Sequence, residues 1–251
     1  MGKGLFVTGT DTEVGKTWVT SALAAAIVQR LQPDKDRDNV RRSIPLGIWK
    51  PVQSGTSLED PKSDSARLVR GSGVEQTETE TVSITLLAPL APWMAAVHEN
   101  KYISWDELVA EGKRRMTVVP RLLIEGAGGL LVPLTEQHMV ADLAAAMKLP
   151  LLIVARAGLG TVNHTLLTIE AARYRGLTIA GVLLNGYREG EERAVDENIL
   201  MIESFGAVRV WGALPQLDEE PVTPEEWKCW RAKWIGIMES RTRMDDIMAF
   251  F

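Results

Sequence analysis

Cysteine is almost absent from this chain. Cys229 stands alone among 251 residues, which excludes an internal disulfide, and no histidine or acid cluster flanks it at metal-ligand spacing. Such usage fits a reducing compartment, and the cytoplasm is the expected location. Long apolar runs are missing too. The longest, residues 149–155, is far too short to cross a bilayer, and near the start only Leu5, Phe6 and Val7 form an apolar stretch, well short of a signal-peptide core. Phe6 also stands where a myristoylation motif beginning Met1-Gly2 needs Ser or Thr, so the chain is expected to be neither anchored nor exported. Basic excess is lacking as well: 28 Lys and Arg against 33 Asp and Glu give a net charge of -5. That balance offers no field for a polyanion, so neither nucleic acid nor a membrane surface is the expected partner.

What is present is an ordinary globular composition, 45% hydrophobic and 24% charged, enough to bury a sizeable core. Short β-rich runs at 4–8, 46–49, 121–124, 150–155, 178–184 and 208–213 alternate with helical patterns at 18–31, 104–116, 140–148, 162–175 and 191–204. Several of the runs are apolar on both faces, as the strands of a buried parallel sheet must be. The expected fold is α/β, a doubly wound and mainly parallel sheet flanked by helices, with residues 1–251 forming a single domain. A charged stretch at 32–45 reads as a solvated loop. Near the end, Thr223-Pro-Glu-Glu226 matches a capping box, and Trp227, Trp230, Trp234 and Ile237 recur at helical spacing over about 224–239. That stripe needs a partner surface, either the domain itself or a ligand. Cys229 falls on the opposite face of the helix.

The stretch Gly9-Thr-Asp-Thr-Glu-Val-Gly-Lys-Thr17 follows the first predicted strand. Strand, tight loop and helix place backbone N–H groups and the positive helix end around an anion; Lys16 reaches the β and γ phosphates, and Thr17 can hold a bridging magnesium ion. Five residues rather than four separate Gly9 from Gly15, so this is a variant P-loop and the fold reads as that of a P-loop NTPase. Lys50-Pro-Val-Gln-Ser-Gly55 follows the second run, where a strand-end lysine points either to solvent or, at the carboxyl edge of a parallel sheet, toward the nucleotide cleft. Glu125 ends the third run ahead of a glycine-rich turn and suits magnesium. Asp64, in SDSARL, is either its companion or an acid favoured by a helix dipole.

These motifs, with LGTVNH at 159–164, resemble the dethiobiotin synthetase family in order and spacing from about residue 4 to 217. The resemblance implies an ATP-dependent ligase of biotin biosynthesis that joins carbon dioxide to 7,8-diaminononanoate and closes a ureido ring. It implies that Lys50 and Lys16 are catalytic, and that Thr17, Asp64 and Glu125 hold Mg2+. By the same resemblance, Glu13, Val14, Gly15, Lys16, Thr17 and Trp18 contact ATP, joined by Asp64, Glu125, Gly126, Ala127 and Gly128. Asn185 with Pro215, Gln216 and Leu217 reads the adenine. The resemblance places Ser54 against the diamine substrate or its carbamate, while Thr12 and Glu13 are assigned to the border with the diamine by their position between Gly9 and Lys16. Thr161 and Asn163 offer a helix N-terminus to its carboxylate from the second subunit of a homodimer. Two positions depart from the family pattern: Gly186 stands where an acid is frequent, and Trp93 where a histidine is. The rival readings are a partitioning-type switch ATPase, which carries a lysine where Asp11 stands, and a P-loop amide synthetase, which needs a nucleophilic cysteine in a glutaminase domain that Cys229 does not supply.

Overall fold

A computed structural model describes residues 3–31, 46–217 and 219–251. The predicted loop at 32–45 lies outside the described residues. The chain begins with β1 (Lys3–Gly9), α1 (Lys16–Leu31) and β2 (Gly47–Ser54). It continues through α2 (Asp64–Ser72), α3 (Glu78–Thr81), β3 (Val82–Leu86), α4 (Pro92–His98) and α5 (Trp105–Val118). Next come β4 (Arg121–Gly129), α6 (Val140–Met147), β5 (Leu151–Arg156), α7 (Thr161–Tyr174) and β6 (Ile179–Tyr187). The last elements are α8 (Glu192–Gly206), β7 (Val210–Pro215), α9 (Pro224–Arg241) and α10 (Met244–Met248).

The seven strands form one sheet in the order β3-β2-β4-β1-β5-β6-β7, and every strand pair is parallel. Strand residues alternate between the faces with period two. Leu5, Val7, Leu123, Leu152 and Val154 pack in the core under α1 and α9. Phe6, Leu122 and Ile124 pack in a second core with α5 and α6, and Ile153 and Ala155 in a third with α7 and α8. Helices therefore cover both faces, and the loops at the carboxyl ends of the strands are left to build a site.

The largest extensions beyond the sequence runs are in β2, which reaches Ser54, and β4, which reaches Gly129, and the strand β3 was not foreseen. The hydrophobic runs at 46–49 and 121–124 end where β2 and β4 stop pairing, at Trp49↔Ile124. Both strands continue beyond that point: β2 pairs with β3 from Lys50 to Ser54, and β4 extends alongside β1 to Gly129. Lys50 and Glu125 are thus strand residues, the first pair beyond a fork in the sheet. Pro51 conceals the continuation of β2, because a proline ordinarily marks a strand end or an edge.

Helix α9 packs on the domain. Thr223 Oγ1 accepts from Glu226 N at 3.2 Å, and Glu226 Oε2 accepts from Thr223 N at 2.9 Å. Trp227, Trp230 and Trp234 are buried, and Cys229 is exposed. Trp18 of α1 stacks on Trp227 with centroids 5.7 Å apart and also meets Trp230 at 5.6 Å. No helix among the described residues is long and apolar enough to cross a membrane.

Candidate active site

The P-loop leaves β1 at Gly9 and enters α1 at Lys16. Gly15 adopts φ 82°, which favours glycine, and a Cβ there would displace the Asn185 amide. Asn185 Nδ2 donates to Val14 O at 3.0 Å. It braces the loop, and this engages the amide expected to read adenine. Glu13 also lies at positive φ, 59°, a conformation that favours glycine; the loop retains a carboxylate at the price of that strain. Arg156, at the end of β5, pairs with Asp11 Oδ2 at 2.9 Å, and Lys16 Nζ donates to Asp11 O at 3.0 Å.

Below the loop, the fork brings three charged side chains together. Lys50 Nζ lies 2.7 Å from Glu125 Oε1 and 2.8 Å from Asp64 Oδ2, and it also donates to Gly126 O at 3.2 Å. The Thr17 hydroxyl stands 2.9 Å from both Asp64 Oδ1 and Glu125 Oε1. Lys50 is 2% exposed and Glu125 wholly buried, so neither charge is tenable without the other. Burial opposes the Lys50 charge, yet Asp64 and Glu125 outweigh it and raise its pKa above the usual lysine range. Burial likewise pushes Asp64 upward, but the Lys50 charge and hydrogen bonds from Lys50 and Thr17 carry its pKa below the ordinary value. Lys16 has weaker support. Burial, reinforced by the Lys50 charge, outweighs the nearby acids and lowers its pKa from 10.5 to about 8. A bound phosphate would restore the missing negative charge.

Asp64 is held in place by contacts that the sequence did not single out. Ser63 Oγ caps α2 by accepting from Ala66 N at 3.1 Å. Gln53, 1% exposed on β2, accepts from Ser65 N at 3.0 Å and donates to Ser65 Oγ and Thr85 Oγ1. Two N–H groups of the first turn of α2 are thereby satisfied, and the turn that carries Asp64 is tied to β2 and β3. Gln53 was visible in KPVQSG, but only the pairing with β3 shows what it does.

A cavity of about 420 Å³ opens over this network. Thr12, Glu13, Gly15, Lys16, Thr17 and Trp18 line one side, and Lys50, Ser54, Asp64, Ala127 and Gly128 another. Gln53 and Arg67 also face it; Arg67 lies three residues beyond Asp64, a spacing that could have flagged it. Ser54 Oγ donates to Leu90 O at 2.7 Å. Pro215, Gln216 and Leu217 line a neighbouring hollow of about 500 Å³ with Tyr187, Trp234 and Ile237. Gly186 has φ 87° and open space around it, and Trp93 is half-buried in α4.

The sequence placed Thr161 and Asn163 at a helix N-terminus, and the fold does the same: α7 starts at Thr161 after Gly160, without a side-chain cap. Neither residue lines the cavity over the P-loop. Thr161 Oγ1 is buried without a hydrogen-bond partner among the described residues, Asn163 is exposed, and Leu159 beside them is fully exposed.

The residues beneath the P-loop fit a magnesium ion. Two carboxylates and a hydroxyl form a hard oxygen donor set, and Glu125 Oε2 is buried with no hydrogen-bond partner among the described residues.

Comparison with known proteins bears on this arrangement. The family described as AAA domain matches residues 3–223. The chain is 42% identical over 217 residues to the ATP-dependent dethiobiotin synthetase BioD of Bacillus thuringiensis (strain Al Hakam), covering 86% of this chain and 85% of that protein. It is 41% identical to the protein of the same name from Bacillus anthracis (strain A0248), covering 89% and 87%. Among solved structures, a ParA family ATPase from Chlorobium tepidum TLS superposes with a TM-score of 0.50 at 11% identity, covering 99% and 97%. The MinD cell division protein of Aquifex aeolicus gives 0.50 at 11%, covering 99% and 95%. This second pair, at 11% identity, shows a shared fold, the mainly parallel sheet flanked by helices of P-loop NTPases.

Proposed function

Because the chain belongs to the dethiobiotin synthetase family, we propose that it is an ATP-dependent ligase that joins carbon dioxide to 7,8-diaminononanoate and closes the ureido ring of dethiobiotin, releasing ADP and phosphate. One observation carries the reading: the buried fork sets Lys50, Asp64, Glu125 and Thr17 directly beneath the P-loop. In this reaction one amine of the diamine captures carbon dioxide as a carbamate. The carbamate oxygen attacks the γ-phosphorus, the bond to the bridging oxygen of ADP breaks, and ADP leaves as a carbamic–phosphoric anhydride forms. The second amine then attacks its carbonyl carbon and expels phosphate.

Two anions must meet, so positioning and positive charge carry the catalysis. Lys16 holds the phosphates, and Lys50 supplies a fixed ammonium at the floor of the cavity for charge that develops in transfer. Thr17, Asp64 and Glu125 would hold Mg2+, which when bound neutralises the β and γ phosphates. Thr12, Glu13 and Ser54 border the place of the diamine, where the Glu13 carboxylate suits a cationic amine and gives its unfavourable backbone a purpose. Gly126, Ala127 and Gly128 let the chain approach phosphate closely. Val14, Gly15 and Trp18 flank the nucleotide, while Pro215, Gln216 and Leu217 wall the adenine with Asn185 at its edge.

The family resemblance further implies a homodimer in which Thr161 and Asn163 of one subunit, at the uncapped start of α7, complete the substrate site of the other. The chain acts as one domain in the cytoplasm. A switch ATPase reading fares worse, because Asp11 occupies the position of its lysine and is paired with Arg156.

The test supplies purified protein with ATP, magnesium, bicarbonate and 7,8-diaminononanoate. ADP release that depends on the diamine, together with a ureido product, is expected. Diamine-independent ATP hydrolysis by folded protein would overturn the reading.

A further inference from the structure

The guanidinium of Arg67 is fixed on two sides at the rim of the cavity. Nε and Nη2 donate to Glu220 Oε1 and Oε2, each at 2.7 Å, and Cζ lies 5.2 Å from the centroid of the Trp18 ring. Trp18 is itself held by Trp227 and Trp230. Nη1 has no hydrogen-bond partner among the described residues. The side chain is only 23% exposed, and it lines the same cavity as Lys16, Thr17 and Lys50.

Lys50 is already opposed by two carboxylates, and so much of the positive charge needed for a polyphosphate must come from elsewhere. Thr17 and Asp64 mark the metal end of the cavity. From Thr17 to Trp18 along α1, and from Asp64 to Arg67 along α2, the lining moves away from that end toward the segment after β7 that carries Glu220. A guanidinium oriented before the ligand arrives loses little freedom on binding, and its planar fork matches phosphate oxygens.

We infer that Arg67 is a nucleotide-binding residue that contacts the phosphate nearest the ribose, with Glu220 as its positioning residue. The inference rests on the cavity being the ATP site.

Calorimetric titration with Mg–ATP and Mg–ADP tests it. Arg67→Met should weaken both nucleotides by a similar factor, about tenfold, because both carry that phosphate and the contact is a charge-assisted hydrogen bond. Glu220→Gln breaks the same ion pair but keeps the guanidinium, and should change either affinity by no more than about threefold, a loss of order rather than of contact. Equal losses in the two variants would mean that Arg67 merely ties α2 to the segment before α9, and would overturn the proposal, as would unchanged binding by Arg67→Met. Should Arg67→Met not fold, Arg67→Lys makes the same comparison: weaker binding than Glu220→Gln supports the contact, and equal binding overturns it. Wild-type protein that binds neither nucleotide would instead remove the ATP reading and this inference with it.

Discussion

Thr17 and Trp18 are neighbours in the chain, yet they begin two regions held together by different forces. Thr17 enters the polar fork, where a buried lysine bridges Asp64 and the wholly buried Glu125, whose Oε2 is left without a hydrogen-bond partner among the described residues. Trp18 enters a ladder of indoles running through Trp227, Trp230 and Trp234 with centroids 5.5–5.7 Å apart. The fork concentrates charge where water is excluded, an arrangement that an apolar core of equal volume would often surpass in stability. The ladder does the reverse. Its three α9 indole nitrogens are buried without hydrogen-bond partners among the described residues, so apolar area and ring stacking must outweigh three unmet donors. Chemistry governs one region and packing the other, on consecutive residues of one helix.

Substitutions can break that contrast. The largest effect is expected from Lys50→Gln, which should lower turnover by about 10³-fold, the scale of losing a preorganised charge in a closed site. It also strands Glu125 and Asp64, and so should cost ~3 kcal/mol of stability in metal-free buffer. Magnesium should recover part of that loss, and thermal unfolding with and without the ion would show it; a variant with wild-type turnover would remove Lys50 from the chemistry. Trp230→Ala comes next. It should cost about 3–5 kcal/mol in denaturant unfolding, while the folded fraction keeps its KM for the diamine. Trp230→Phe keeps a ring and deletes an unmet donor, so a cost below ~1.5 kcal/mol is expected. A cost as large as that of alanine would reveal a hidden partner for the indole N–H and blur the distinction between the regions. The smallest effect belongs to Gln53→Leu, which loosens the turn that carries Asp64. The magnesium concentration for half-maximal rate should rise about fivefold, less than the roughly tenfold or more usual for losing a direct outer partner of a metal ligand, because Gln53 holds the turn and not the carboxylate itself; the rate at saturating magnesium should stay near wild type.

The P-loop and the glycine-rich turn after Glu125 were legible because phosphate chemistry demands particular residues at short spacing, whereas KPVQSG at 50–55 left its lysine open between solvent and the cleft. The alternation of apolar runs with helical patterns likewise pointed to a doubly wound sheet. Less legible were the continuation of β2 through Pro51 and the strand Val82–Leu86, whose polar Ser83 and Thr85 suit an edge position. Trp49 Nε1 donates to Ser83 Oγ at 2.8 Å and Gln53 reaches Thr85, contacts between segments some thirty residues apart. Asn185 carries a similar lesson. The family resemblance assigned it to adenine, and its position alone gave no sign that its amide also reaches the P-loop, where Nδ2 donates to Val14 O.

By itself the sequence determined the order of elements, the phosphate grip at 9–17 and the residue types able to hold a metal and move a phosphoryl group, since each depends on local periodicity or on side-chain chemistry. Only the tertiary structure decided that Lys50, Asp64 and Glu125 share one network and that Trp18 leads away from it. Those contacts close where β2 and β4 diverge and where α1 meets α2 and α9, and side-chain contacts between elements distant in sequence are set by how the sheet forks and the helices dock, which no short window of residues encodes.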